Sequence, residues 1–158
     1  QVINLFEDIQ RDSETSYLFI AHDLSVVRHI AHRVIVMYLG RVVESGPIER
    51  VFSAPAHPYT EALLSAIPIP NPRLQRARTR ITLEGDPPDP TVVPAGCPFH
   101  DRCRHAMPRC SVDVPALQQV DGGGEAACHL LDLDEPVRLA GLDPDETAAR
   151  PRSMRQPT

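Results

Sequence analysis

Lysine is absent from the 158-residue chain, although arginine occurs 16 times. That absence excludes every mechanism built on a lysine amine, including the phosphate-gripping lysine of a P-loop and a Schiff base. Proline is missing from the first 46 residues, and all 17 prolines fall between Pro47 and Pro157. No apolar run nears the roughly 18–20 residues that cross a bilayer, and the opening residues do not read as a basic-then-apolar signal peptide. Basic charge is short as well. The formal net charge of −5 argues against a nucleic-acid surface. Hydrophobic residues make up 42%, slightly under the usual share, so the expected core is modest. The chain opens on Gln1 rather than Met, and with its lopsided proline placement it is expected to be a fragment or a processed product.

What is present divides at Gly46. Before it, Val2, Leu5, Phe6 and Ile9 recur at helical spacing, and Asp12 to Ser16 ends that helix. Tyr17 to Ala21 is almost wholly apolar, the pattern of a strand covered on both faces in a parallel sheet. Leu24, Val27, Ile30 and Ala31 resume a helical period; Arg33 to Leu39, broken by Gly40 and continued by Arg41 to Glu44, predicts a β-hairpin. The expected fold class is α/β: the closing portion of a layer whose apolar strand needs neighbours from outside this chain.

Beyond Gly46, Pro47 opens a short helix through Phe52, and a second helix is predicted from Thr60 to Ala66 after the His57-Pro58-Tyr59 turn. In that turn Pro58 holds His57 extended, and the Tyr59 ring is free to pack on the α/β layer. Ile67 to Pro72 reads as a linker, and Arg73, Arg76, Arg78 and Arg80 as a local basic run, most simply a solvated one. Asp86 to Pro94 reads as extended loop, Gly122 to Gly124 as a flexible connector, and the stretch from Asp143 onward as disordered.

Two places carry chemistry. His22 and Asp23 sit at the end of the predicted buried strand, where α/β folds place ligand groups. The imidazole can donate to a phosphate oxygen, and Asp23 can cap the next helix through the N–H of Ser25 or Val26; a purely structural histidine and cap account for the same pattern. The second place is Cys97, Cys103, Cys110 and Cys128, spaced C-x5-C-x6-C-x17-C. Four thiolates suffice for a [4Fe–4S] cluster or a tetrahedral zinc ion. These gaps exceed the tight pairs of common structural zinc sites, and disulfide pairing or free thiols remain open on spacing alone. His100, His105 and His129 flank the cysteines as substitute ligands or as plain surface histidines.

The string YLFIAHDLSVVRHIAHRVIVMYLGRVVESG, Tyr17 to Gly46, resembles the C-terminal part of an ABC-transporter nucleotide-binding subunit. PAHPYTEALLSAIP, Pro55 to Pro68, narrows this to the ATPases of oligopeptide and dipeptide importers. Gly96, Cys97, Phe99, Arg102 and Cys103 match the G-C-x-F-x-x-R-C motif of that family's extension. The resemblance runs from Gln1 to about Leu131. It implies residues 1–46 from the end of a P-loop-type ABC ATPase core, an extension over 47–131 carrying the four cysteines, and a disordered tail over 132–158. It implies further that His22 is the switch histidine, reaching the γ-phosphate of ATP held with magnesium between two ATPase domains. The implied partners are a second ATPase subunit, membrane-spanning permease subunits and, indirectly, a peptide-binding protein, and the implied place is the cytoplasmic face of the membrane as a peripheral subunit. A reducing compartment disfavours disulfides, and some relatives carry a [4Fe–4S] cluster on such cysteines, with zinc as the lesser alternative. The P-loop, signature motif and catalytic-glutamate strand of such ATPases are not found here, so the chain by itself is expected neither to bind nor to hydrolyse ATP. Two rival readings are a stand-alone four-cysteine metal or redox module and a truncated, non-functional product.

Overall fold

In the computed structural model, residues 2–69, 75–76, 79–85, 89, 91–92, 94–135 and 137–142 are described. The expectations for Arg73, Arg78, most of the Asp86 to Pro94 loop and the tail from Asp143 lie outside them.

Helical spacing in the opening residues gives α1 (Val2–Ser13). Its apolar stripe is not sunk in a core: Leu5 and Ile9 are exposed, and Phe6 instead meets the rings of Tyr17 and Phe19 at 5.7 and 5.6 Å. The predicted strand at Tyr17 to Ala21 does not form. Leu18 is 89% and Ile20 99% exposed, so alternate residues face the α1 ring cluster and solvent. The cause is the lack of a ladder. A strand exists only where a neighbour accepts its N–H groups, and the sheet of this chain is built from later residues.

Asp23 caps α2 (Leu24–Ile30), its Oδ1 accepting the Ser25 N–H at 2.9 Å, as the sequence predicted. The hairpin is β1 (Arg33–Tyr38) and β2 (Arg41–Pro47), paired antiparallel from Arg33↔Pro47 to Tyr38↔Arg41. Leu39 and Gly40 turn it, both with positive φ (46° and 72°), as a two-residue turn of matching twist requires. Val36 and Tyr38 of β1 point into the core while Ile35 and Met37 face outward. Pro47 ends β2 and stands as N-cap to α3 (Ile48–Ser53), which buries Ile48, Val51 and Phe52.

α4 (Pro58–Ser65) follows, with His57 extended at φ −122° as Pro58 demands and its Nδ1 accepting the Tyr59 N–H at 3.1 Å. Two strands were invisible in the sequence: β3 (Gln118–Gln119) and β4 (Glu125–Ala126). They extend the sheet to the order β1-β2-β4-β3, antiparallel throughout. The α/β class therefore holds, but the sheet is antiparallel rather than a parallel layer. Gly122 to Gly124 are no slack connector. They form the β3–β4 turn at φ of 77°, 89° and 105°, and a Cβ on Gly124 would lie 2.1 Å from the Ser45 carbonyl oxygen.

Beneath the sheet the core gathers Val36, Tyr38, Val43, Val51, Phe52, Leu64, Phe99 and Leu142 with Cys97 and Cys110. Two buried carboxylates tie it together. Glu44, fully buried, pairs with Arg50 and accepts the N–H groups of Ala56 and His57 at 2.9 and 3.0 Å. Glu61 accepts from Arg104 Nη2 at 2.8 Å and from the Ala140 N–H at 2.7 Å, joining α4 to two later segments.

Candidate functional site

Short turns position the cysteines. At Gly96, φ is 72°, and a Cβ would meet the Cys110 carbonyl oxygen at 2.3 Å. Only glycine lets the chain pass close enough for the Cys97 N–H to donate to that carbonyl at 2.8 Å, which brings the first and third cysteines side by side. A 3-10 turn over His100–Arg102 carries the chain to Cys103, and a second over Pro108–Ser111 contains Cys110. Cys128 caps a third over His129–Asp132.

All four cysteines are free thiols, three of them buried and Cys103 half-buried. Burial pushes the Cys97 thiol above its ordinary range, Cys103 up to about 11 and Cys128 up to about 12. Mutual repulsion adds to this. Cys97 feels Cys110; Cys103 feels Cys97 and Cys110; Cys128 feels the other three. Nearby backbone N–H groups act in the opposite sense, Phe99 and His100 on Cys97, His105 on Cys103 and Leu130 on Cys128, each drawing the thiol pKa down.

The thiols neighbour one another, yet among the described residues no three His, Cys, Asp or Glu side chains close around one point as a metal site. The four sulfurs lie within electrostatic reach of one another, three of them buried, but they are not gathered around a common point. The substitute ligands are otherwise engaged. His100 has its Nδ1 at 2.8 Å from the Cys97 carbonyl oxygen and its Nε2 at 2.9 Å from Asp101. His129 meets Asp113 O through Nε2 at 2.9 Å and Asp132 through Nδ1 at 3.4 Å. On His105, Nε2 accepts from Arg104 Nε at 3.0 Å.

An aromatic group fastens this region to the hairpin. Phe99, 1% exposed, meets Tyr38 at 5.2 Å, Tyr59 at 5.3 Å and His57 at 5.7 Å between ring centroids. Tyr59 also packs on Tyr38 at 4.7 Å, the anchoring role predicted for the His57-Pro58-Tyr59 turn. Sequence reasoning missed Glu61 and Arg104, whose ion pair links α4 to the turn after Cys103. An acid in an otherwise apolar stretch, Thr60-Glu61-Ala62, was the one available signal.

His22 lies apart from the cysteines in sequence and element, exposed and immediately before the α2 cap Asp23. With no strand formed at Tyr17 to Ala21, nothing rigid fixes the imidazole from the N-terminal side.

Residues 43–110 match the family described as the oligopeptide/dipeptide transporter, C-terminal region. A probable peptide ABC transporter ATP-binding protein of Sinorhizobium fredii is 46% identical over 149 residues, covering 94% of this chain and 41% of that protein. A di/tripeptide transport ATP-binding protein of Pseudomonas aeruginosa is 47% identical over 129 residues, 82% of this chain and 39% of its own length. An oligopeptide transport ATP-binding protein of Escherichia coli is 50% identical over 118 residues, 75% of this chain and 35% of its own. The chain spans about two fifths of the length of these relatives. The fold and the match together define the C-terminal region of an ABC-transporter ATP-binding subunit. More narrowly, residues 43–110 carry the C-terminal region of the oligopeptide/dipeptide transporter family.

Proposed function

We propose that the chain serves as the C-terminal part of the ATP-hydrolysing subunit of a peptide importer. Residues 1–46 complete the ATPase core, 47–131 form the family's extension, and 132–158 are the tail. The observation that carries this reading is 46% identity to a probable peptide ABC transporter ATP-binding protein over 149 residues, a span long enough to hold both the His22 segment and the cysteines. In the whole subunit, ATP with magnesium lies between two ATPase domains beneath the permease subunits, at the cytoplasmic face, and the peptide reaches the permease from a binding protein. Among the described residues no helix is long and apolar enough to cross a membrane.

His22 donates to the γ-phosphate oxygen that gains charge as the phosphoryl group transfers, and Asp23 fixes its backbone by capping α2. Adding the partner strands beside Tyr17 to Ala21 covers Leu18 and Ile20 and makes the strand end rigid. Without a lysine for the P-loop, the chain alone neither binds nor hydrolyses ATP. In the complete subunit His22→Ala is expected to lower kcat by roughly 100-fold or more while ATP still binds, since one donor to developing charge is worth about that much. An unchanged kcat would remove His22 from the mechanism.

Cys97, Cys103, Cys110 and Cys128 are the residues that would hold a metal, a [4Fe–4S] cluster by preference and zinc otherwise, and they would have to draw together around it. When bound, the metal supplies folding energy to an extension of short turns. The chain's own part is to present four thiols, three of them buried, on short turns.

A further inference from the structure

With no strand behind it, His22 is placed from its C-terminal side, by α2, whose N-cap Asp23 directly follows it. α2 is seven residues long with none of them fully buried, and a helix this short does not hold itself. One face sets its position. Leu24, Val27 and Ala31 pack against the core. Arg28, on the same face by helical spacing, carries its guanidinium carbon 5.8 Å from the centre of the Phe52 ring. Just past α2, His32 O accepts the Ile48 N–H at 3.0 Å. Going back from His32 to Arg28 is therefore going forward from Ile48 to Phe52, and α2 lies along α3 in the opposite sense. Phe52 is held in turn. Its ring is buried in the core, and its carbonyl accepts the Leu142 N–H at 2.6 Å. The chain passes there only because residue 141 is glycine, since a Cβ would lie 2.0 Å from Ser53 O.

We infer that Arg28 and Phe52 are positioning residues for His22: the Phe52 ring holds Arg28, Arg28 holds α2, and α2 sets where the imidazole stands. This rests on the reading that His22 meets the γ-phosphate of ATP. The face of an aromatic ring attracts a guanidinium, so the contact fixes α2 along α3 where apolar packing alone would let it slide. Asp23 then carries that placement to the residue before the helix, through its bond to the Ser25 N–H. Precision matters at this point. A donor to developing charge works at hydrogen-bond distance, and a displacement of about 1 Å costs up to about 100-fold in rate. Neither residue touches the nucleotide; both act through the helix. The extension that begins at Pro47 thereby has a task in the ATPase core, with α3 as the rail on which the helix after His22 is mounted.

ATP turnover by the complete subunit in its assembled transporter tests this. Arg28→Met keeps the stem and removes the cation, and Phe52→Leu keeps apolar bulk and removes the ring face. Each should lower kcat by roughly 10-fold while KM for ATP changes by less than about twofold. Arg28→Lys should be less impaired than Arg28→Met, and equal losses in the two would contradict a cation held over the ring. The sharpest comparison is in the His22→Ala background, where neither substitution should lower kcat further, because both act through the imidazole. A further fall there as large as in the parent would give Arg28 and Phe52 a general structural role and overturn the inference. Unchanged kcat in both single variants, with His22→Ala still impaired, overturns the mount and leaves His22 in the mechanism. Unchanged kcat in His22→Ala itself removes the reading on which the mount rests, and both fall. If Phe52→Leu does not fold, Arg28→Met, at a half-buried position, makes the same comparison.

Discussion

His57 shows how one side chain can serve packing and capping only while neutral. It is 1% exposed, and burial holds its pKa down at about 4. Its Nδ1 must stay unprotonated to accept the Tyr59 N–H and cap α4. Above pH 6.5 the imidazole is neutral in both folded and unfolded chains. Below it, the unfolded chain takes a proton that the folded chain refuses, so stability falls as the pH drops from about 6.5 to 4, by roughly 3 kcal/mol in all. Urea midpoints across that range should drop in the parent and stay nearly level over the same interval in His57→Asn, which keeps a capping oxygen. An equally steep fall in the variant would assign the acid sensitivity to other groups. The position was legible in part: Pro58 fixed His57 as extended, but that its ring would be enclosed by Phe99, more than 40 residues on, no local pattern could tell.

Among elements, what the sequence made legible was what local physics decides. Helices α2, α3 and α4 and the β1–β2 hairpin follow from caps, proline placement and a Leu39-Gly40 turn. The misses have one cause: they depend on partners distant in sequence. Tyr17 to Ala21 had a strand's composition and no ladder to join, while β3 and β4 had a ladder and no strand composition. Of the candidate site, the four cysteines were legible as a set, but the Gly96 approach that sets Cys97 beside Cys110 and the Glu61–Arg104 pair were not. The joint between elements that matters most is Arg50, which reaches Glu44, Ser45 and Gly123 from α3. Arg50→Met should cost about 3–5 kcal/mol, because Glu44 is left buried without its counter-charge. Adding Glu44→Gln should restore part of that loss, giving a double variant less damaged than the sum of the two changes. Chemical unfolding of the three variants decides this; a cost below about 1 kcal/mol for the single change would show that the pair does not hold the hairpin to α3.

At the scale of the molecule, two regions differ in how complete they are. The hairpin, α3, α4 and the cysteine turns share one core, with Phe99 and Leu142 drawn into it from far along the chain. The residues before α2 contribute a small ring cluster and expose Leu18 and Ile20. The functional content divides the same way. On the proposed reading, His22 meets the nucleotide in a site assembled with other sequence, whereas the four cysteines all lie within this chain. The most direct test is therefore to purify the chain without oxygen, measure iron, sulfide and zinc, and record the visible spectrum. A metal-binding extension predicts about four irons with matching sulfide per chain, or failing that one zinc, lost in Cys103→Ser. Iron and zinc both absent from a folded chain would contradict it, and the four thiols would then be packing residues only.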